Sequence, residues 1–398
     1  MKILYLSVLS SNRIIEELYR SSGHNPGFAI QKFNRLLAKG IQDNEADLTI
    51  LSALPISRRL SSKVFWNISS EQEDGLFYHY LPFVNYPVIR QICLTISTFF
   101  KVIIWSLDKT KQKIVLCDVL NTSICLGALV ACKMSRTSIA GFVTDMPGLL
   151  VGVDAPCKWS FTSLISSLVS KSYLSSYDKY IFLTKAMNDV INNHHKPYIV
   201  MEGICDPEMA ISKKKRHYSK KRTILYAGGV YARYGLEILV KAIAQIDPDA
   251  CELIIYGSGP FVKELREKYC VKYPNIIYMG VVLNSEIVQA ELEADILINP
   301  RPTKEDFTKY SFPSKNIEYM ASGTPLITTK LPGMPTDYYP YVFLIEDETE
   351  EGYVNAIRKI LLLSDDELFD FGEKAKQFIL INKNRNKQGE RVLDLFRS

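Results

Sequence analysis

The chain reads as an α/β protein built of two doubly wound units, and three observations predict this. Short apolar strand candidates alternate with helical stretches along the whole sequence, the grammar of mainly parallel sheets covered by helices. At 398 residues the chain exceeds one ordinary core and suits two of roughly 150–200 residues each. A basic, apolar-poor run, Ser212–Arg222 (SKKKRHYSKKR), interrupts the alternation near the middle. The expected division is an N-terminal domain over 1–211, a linker over 212–222 and a C-terminal domain over 223–386.

In the first half the strand candidates are Ile3–Leu9, Leu48–Ser52, Leu76–Leu81, Ile114–Cys117, Ser138–Val143, Lys179–Leu183 and Tyr198–Met201. Helical stretches such as Phe28–Ala38 and Thr122–Lys133 separate most of them. In the second half Thr223–Ala227 runs into Gly228-Gly229 and a helix over Gly235–Ile246. Glu252–Tyr256, Ile276–Tyr278, Ile296–Ile298, Leu326–Thr328 and Val342–Leu344 follow as strands.

Composition narrows the class. Hydrophobic content of 47% and charged content of 23% are those of a soluble globular protein. The net charge of +5 is too small to imply nucleic acid. The eight cysteines, Cys157 among them, form no C-x-x-C pair and read as free thiols in a reducing, cytoplasmic setting. Met1-Lys2 leads straight into ILYLSVL, too short for a signal segment, and reads as the first strand. Val88–Leu107 is the nearest approach to a membrane span, but Arg90 and Lys101 interrupt it. It is expected to be a buried helix; the alternative is a helix lying on a membrane surface, apolar side down. The basic run at 212–222 reads as a solvated linker, or else as a segment attracted to an anionic membrane.

The segment Ala294–Ile327 carries the most chemistry. A strand ends at Asn299-Pro300, and a polar loop with Arg301, Lys304 and Lys309 follows. Pro313 sits near the first turn of a helix, with Ser311 or Ser314 as its expected cap. The amides of such a helix start favour an anion. Glu318 lies one turn on from Ser314, on the same face, and Gly323-Thr324-Pro325 stops the helix. Phosphate at the helix mouth and a diol on the carboxylate together fit a nucleotide sugar. Lys315 is a cation where the helix dipole disfavours one, which an anionic ligand would offset; a surface lysine reads the same way.

Gly228 and Gly229, with Arg233 and Gly235 after them, let backbone approach a phosphate, though turn glycines look alike. Gly257-Ser258-Gly259-Pro260 is similarly a phosphate turn or a plain one. Asp145, in Thr144-Asp145-Met146-Pro147, ends the strand Ser138–Val143 and is a candidate for orienting a sugar, or a turn-forming Asp. Ser10, Ser11 and Asn12 after the first strand, with His24 and Asn25 before Gly27, are expected to form the acceptor-side loop. His194-His195 has no carboxylate at metal-ligand spacing and reads as a helix end, and Asp247-Pro248-Asp249 reads as a turn, so no metal is expected.

These residues resemble the donor-site signature of retaining GT-B-fold glycosyltransferases, especially family 4, which builds capsular and other surface polysaccharides. The resemblance implies two Rossmann-like doubly wound domains facing across a cleft, the GT-B architecture, with a C-terminal helix near 387–398 packing back on the first domain. It implies that Glu318 binds the donor ribose, while Tyr310 stands where many members carry a second Glu. Gly229 and Tyr234 stand where members carry an Arg and a Lys that neutralise the diphosphate. Arg301, or Arg233, must then supply that charge. Ser311, Phe312, Pro313 and Ser314 form the donor-side turn, and Arg301, Lys315 and Asp145 the catalytic set. The expected reaction is transfer of a hexose from a nucleotide diphosphate sugar, UDP-linked, to a lipid-linked glycan acceptor, with no cofactor. A nucleotide-sugar epimerase and a non-catalytic partner of a glycan assembly complex are the alternatives.

Overall fold

The computed structural model describes residues 1–58, 60–108, 112–146, 173–207 and 221–398. Strands in chain order are β1 (Lys2–Ser7), β2 (Asp47–Ser52), β3 (Phe65–Trp66), β4 (Glu71–Glu73), β5 (Leu76–Tyr80), β6 (Phe83–Val84), β7 (Lys113–Asp118), β8 (Ser138–Val143), β9 (Lys179–Phe182) and β10 (Tyr198–Val200). Then come β11 (Arg222–Ala227), β12 (Cys251–Tyr256), β13 (Ile276–Gly280), β14 (Ile296–Asn299), β15 (Leu326–Thr329) and β16 (Phe343–Ile345). The chain divides into two units, Met1–Ile204 with Arg385–Ser398, and Cys205–Asn384.

In the first unit the sheet order is β10-β9-β8-β7-β1-β2-β5-β4. All pairings are parallel except β4 against β5. The central strands are continuous apolar runs because helices cover both faces of such a sheet; Ile3, Tyr5, Leu6, Val115 and Leu116 are fully buried. In the second unit the order is β13-β12-β11-β14-β15-β16, all parallel. Alternation along β11 builds both layers of its core. Ile224 and Tyr226 join one cluster with Leu239, Val240 and Ile357; Leu225 and Ala227 join the other with Leu297, Tyr319 and Phe378. The α/β reading with two doubly wound units thus holds.

Four expectations need correction. The first unit ends at Ile204 rather than 211, because Cys205 is packed in the second unit's core and donates its amide to the Lys383 carbonyl at 2.7 Å. The chain returns at Arg385, where its guanidinium pairs with Asp43 at 3.0 Å and its carbonyl lies against Gly40. Of the expected linker, 212–220 lie outside the described residues, as do Pro147 and Cys157. Arg222 belongs to β11 instead, held by Asp365 at 2.7 Å. Lastly, the helix expected at Val88–Leu107 spans Pro87–Ser106, is long and apolar enough to cross a membrane, and is not a buried helix. Leu94, Thr98 and Val102 are its buried residues, whereas Val88, Ile92, Ile96, Phe100 and Ile104 are exposed.

Candidate active site

The strand order of the second unit reverses direction between β11 and β14, and the carboxyl ends of strands at such a switch point are where ligands bind in open α/β sheets. Glycines draw the neighbouring loops together there. Gly257 has φ +128, and a Cβ on it would sit 1.8 Å from the Gly228 carbonyl. A Cβ on Gly259 would meet the Val230 carbonyl at 2.2 Å, and one on Gly235 the Pro300 carbonyl at 1.8 Å. Hydrogen bonds fix the same loops: the Gly228 amide donates to Tyr256 at 3.1 Å, and the Val230 amide to Ser258 at 2.9 Å. The Tyr226 hydroxyl donates to the Gly229 carbonyl at 2.8 Å. Gly228, Gly229, Gly257, Ser258 and Gly259 therefore form one packed rim.

Arg301 leaves β14 beside this rim. Its backbone is held by Thr329, which donates its hydroxyl to the Arg301 carbonyl. Its guanidinium lies 4.9 Å from the Tyr234 ring centroid and 5.4 Å from that of Phe307, good cation–π geometry. Burial lowers its pKa, opposed by the neighbouring Tyr234 and Tyr226. Its Nε is buried without a hydrogen-bond partner among the described residues. A buried cationic donor left unsatisfied is costly unless something anionic uses it. Arg233 joins the same aromatic group, its guanidinium 5.7 Å from the Tyr234 ring.

The helix Ser314–Ser322 starts differently from the expected cap. Pro313 is the capping position and no side chain caps it. Ser311 instead donates its hydroxyl to the Phe307 carbonyl at 3.0 Å, and Ser314 is the first helical residue. Phe312 is buried against Tyr338, ring centroids 5.2 Å apart, so only its backbone can face a ligand. Tyr310 closes the turn Asp306–Lys309, its amide donating a hydrogen bond to the Phe307 carbonyl at 3.1 Å. The uncapped first amides suit an anion.

Lys315 pairs with Glu318 at 3.0 Å and with the buried Glu291 at 3.4 Å. Burial lowers its pKa, but Glu318 and Glu291 raise it by more, so it stays a cation. Two buried contacts seat the helix on the sheet. Asn316 accepts a hydrogen bond from Asn299 at 2.5 Å. The Tyr319 hydroxyl accepts from the Ala227 amide at 2.8 Å. Glu318 and Lys315 are thus carried by a helix locked to the ends of β11 and β14. Glu291, Asn316 and Tyr319 escape sequence reasoning because a polar residue in a helix looks solvated until its burial is known.

In the first unit the loop after β1 is structurally committed. Ser10 is buried, its amide donating to Gln31 at 2.9 Å. Ser11 caps the helix Asn12–Ser22, accepting from the Ile14 amide at 3.3 Å and donating to Glu71 at 2.5 Å. The Asn12 amide donates to Glu73 at 2.6 Å. Asn25 accepts from the Gly27 and Phe28 amides at 2.8 and 2.9 Å, at the start of the next helix. The side chains of Asn12 and His24 are exposed. Asp145 follows β8, half-buried, and burial pushes its carboxyl up to about 6. The fully buried Asp118 at the end of β7, which sequence reasoning missed, is likewise pushed up to about 6 by burial. Hydrogen bonds from the Leu120 amide and Asn121 oppose that shift, and Asp145 adds to it. Asp249 donates its amide to Asp247 at 2.9 Å, the expected turn.

Residues 221–362 match the family Glycosyl transferases group 1. A Bacillus subtilis (strain 168) protein named as a glycosyltransferase, YtcC, is 24% identical over 187 residues, 44% of each chain. TuaH of the same organism, named as a teichuronic acid biosynthesis glycosyltransferase, is 25% identical over 145 residues, 36% of each chain. These matches span less than half the length of either relative. The solved structure of Anabaena HepE in complex with UDP is 14% identical, with a TM-score of 0.60 and 100% of both chains covered. That likeness shows the GT-B fold over the whole chain.

Proposed function

We propose that the protein transfers a hexose from a nucleotide diphosphate sugar to a growing surface polysaccharide. The observation that carries this reading is the Arg301 guanidinium. It lies beside two rings at the switch point, with Nε buried and unused among the described residues, next to the closely packed glycine loops. Lys315 is held by two carboxylates, so Arg301 carries most of the charge offered to a diphosphate and Lys315 adds less.

In this reading Arg301, Lys315 and the first amides of the Ser314–Ser322 helix stabilise charge on the departing diphosphate, as preorganised donors do in an oxyanion hole. Glu318 accepts the ribose hydroxyls. A phosphate oxygen of the leaving group takes the acceptor's proton, and the configuration is retained. In the first unit, Asp145, Asn12 and His24 are the candidates for contacting the sugar or its acceptor. The UDP held by HepE supports a UDP-linked donor, and the named role of TuaH in teichuronic acid biosynthesis supports a glycan acceptor, which this reading takes to be lipid-linked.

The test is transfer of label from UDP-hexoses into a membrane lipid extract, with EDTA present. The reading expects acceptor-dependent label in the lipid fraction, unchanged by the chelator. Interconversion of the free nucleotide sugar without acceptor, or a strict metal requirement, contradicts it.

A further inference from the structure

The Pro87–Ser106 helix presents an unusual face. Val88, Ile92, Ile96, Phe100 and Ile104 recur every fourth residue and are 72%, 54%, 52%, 57% and 64% exposed. The opposite side carries Leu94, Thr98 and Val102, which are buried. The neighbouring helix Thr122–Ser135 is packed so closely that a Cβ on Gly127 would lie 2.3 Å from the Thr95 carbonyl. It adds Leu126, Val130 and Met134, again four apart and exposed. Its own inner face, with Ile124, Cys125, Ala128 and Ala131, belongs to the core. The two helices therefore hold a continuous apolar strip in place, larger than scattered surface residues explain.

Charge says what the strip fits. Neither helix contains an aspartate or glutamate. Exposed Lys101, Lys133 and Arg136 belong to them or follow directly. Asp108, just past the first helix, is already paired with Lys2 at 2.5 Å. At the amino end the exposed Tyr86 carries Arg58 over its ring at 4.9 Å, an aromatic and a cation together, as at membrane interfaces. Because the helix is packed along one side, it lies along a surface rather than across a bilayer.

We propose that this two-helix face seats the first unit on an anionic lipid surface. Its apolar strip enters the boundary between headgroups and acyl chains, and its cations lie among the headgroups. The inference does not depend on the donor chemistry.

Co-sedimentation of the full chain with vesicles tests it, comparing equal mixtures of phosphatidylglycerol and phosphatidylcholine with pure phosphatidylcholine. Binding should favour the anionic vesicles and weaken as salt rises. Ile92→Glu/Ile96→Glu should cut binding by at least about tenfold, and Val130→Glu/Met134→Glu should do so independently. Both should keep the parent's thermal transition, since these side chains are exposed. Lys101→Glu/Lys133→Glu should remove the preference for anionic lipid. The proposal is overturned if the parent binds neither vesicle or if both apolar variants bind like the parent. It is equally overturned if light scattering reveals a dimer that Ile92→Glu/Ile96→Glu dissolves, because the face then covers a second copy.

Discussion

Two helix starts in this molecule treat the same electrostatic opportunity in opposite ways. The helix Asn12–Ser22 fills its positive end from within: Ser11 caps it, and Glu73 accepts the Asn12 and Arg13 amides at 2.6 and 3.2 Å. The helix Ser314–Ser322 has no side-chain cap, a lysine in its first turn held by Glu318 and Glu291, and, at the end of the strand it packs on, an arginine whose Nε is buried and unused among the described residues. An internal carboxylate at a helix start contributes stability; an uncapped start with cations beside it forgoes that stability and favours an external anion. On the proposed reading, the difference separates a structural anion site from a functional one within a single chain.

Removing Arg301 should break the comparison most severely. Arg301→Ala should lower turnover by at least about a hundredfold, the scale of losing one preorganised donor. Arg301→Lys should recover only part, since a lysine lacks the planar fork. Near-parental steady-state rates in Arg301→Ala would move the phosphate role to Arg233. Glu318→Ala should weaken nucleotide binding by about tenfold or more, the worth of a charge-assisted hydrogen bond, as read by calorimetry. Equal affinity in parent and variant would sink the ribose assignment.

On the other side of the comparison, Glu73→Ala should cost about 1–2 kcal/mol of stability in denaturant unfolding, with nucleotide affinity unchanged. If it altered affinity instead, the first helix start would not be purely structural.

The smallest effect concerns pH. Burial pushes Asp118 and Asp145 up to about 6, so the folded state holds their protons more tightly than the unfolded chain. Their stabilising contribution is full below about pH 4, the ordinary carboxylate value, and is lost as pH rises through about 6. The stability of Asp118→Asn relative to the parent should therefore rise between pH 5 and 8. A difference that does not vary with pH would contradict the assignment.

The sheets were legible because strands buried on both faces are continuous apolar runs. The short strands β3, β4 and β6 were not. Glu-Gln-Glu at 71–73 has no apolar pattern and becomes a strand only by pairing with β5, where it delivers Glu71 and Glu73 to the first helix. The exposed face of Pro87–Ser106 was hidden because that helix is apolar nearly all round, so periodicity cannot say which side is covered. In the candidate site, the places of Arg301 after a strand end and of Glu318 on a helix were legible from their spacing to Pro300 and Gly323. The cap was not, since a serine beside a helix start reads as its cap until Ser311 is seen bonded to Phe307. Glu291 was equally invisible: its role is set by Lys315, 24 residues away in sequence.

The most direct test of an anion-ready second helix start is a thermal-shift screen of the parent and Arg301→Ala. UDP, GDP, ADP, dTDP and CMP would be tried with EDTA present. A raised transition with UDP in the parent, absent in Arg301→Ala, is the predicted result. No rise with any nucleotide, followed by no heat of binding in calorimetry, or an equal rise in both proteins, would contradict it.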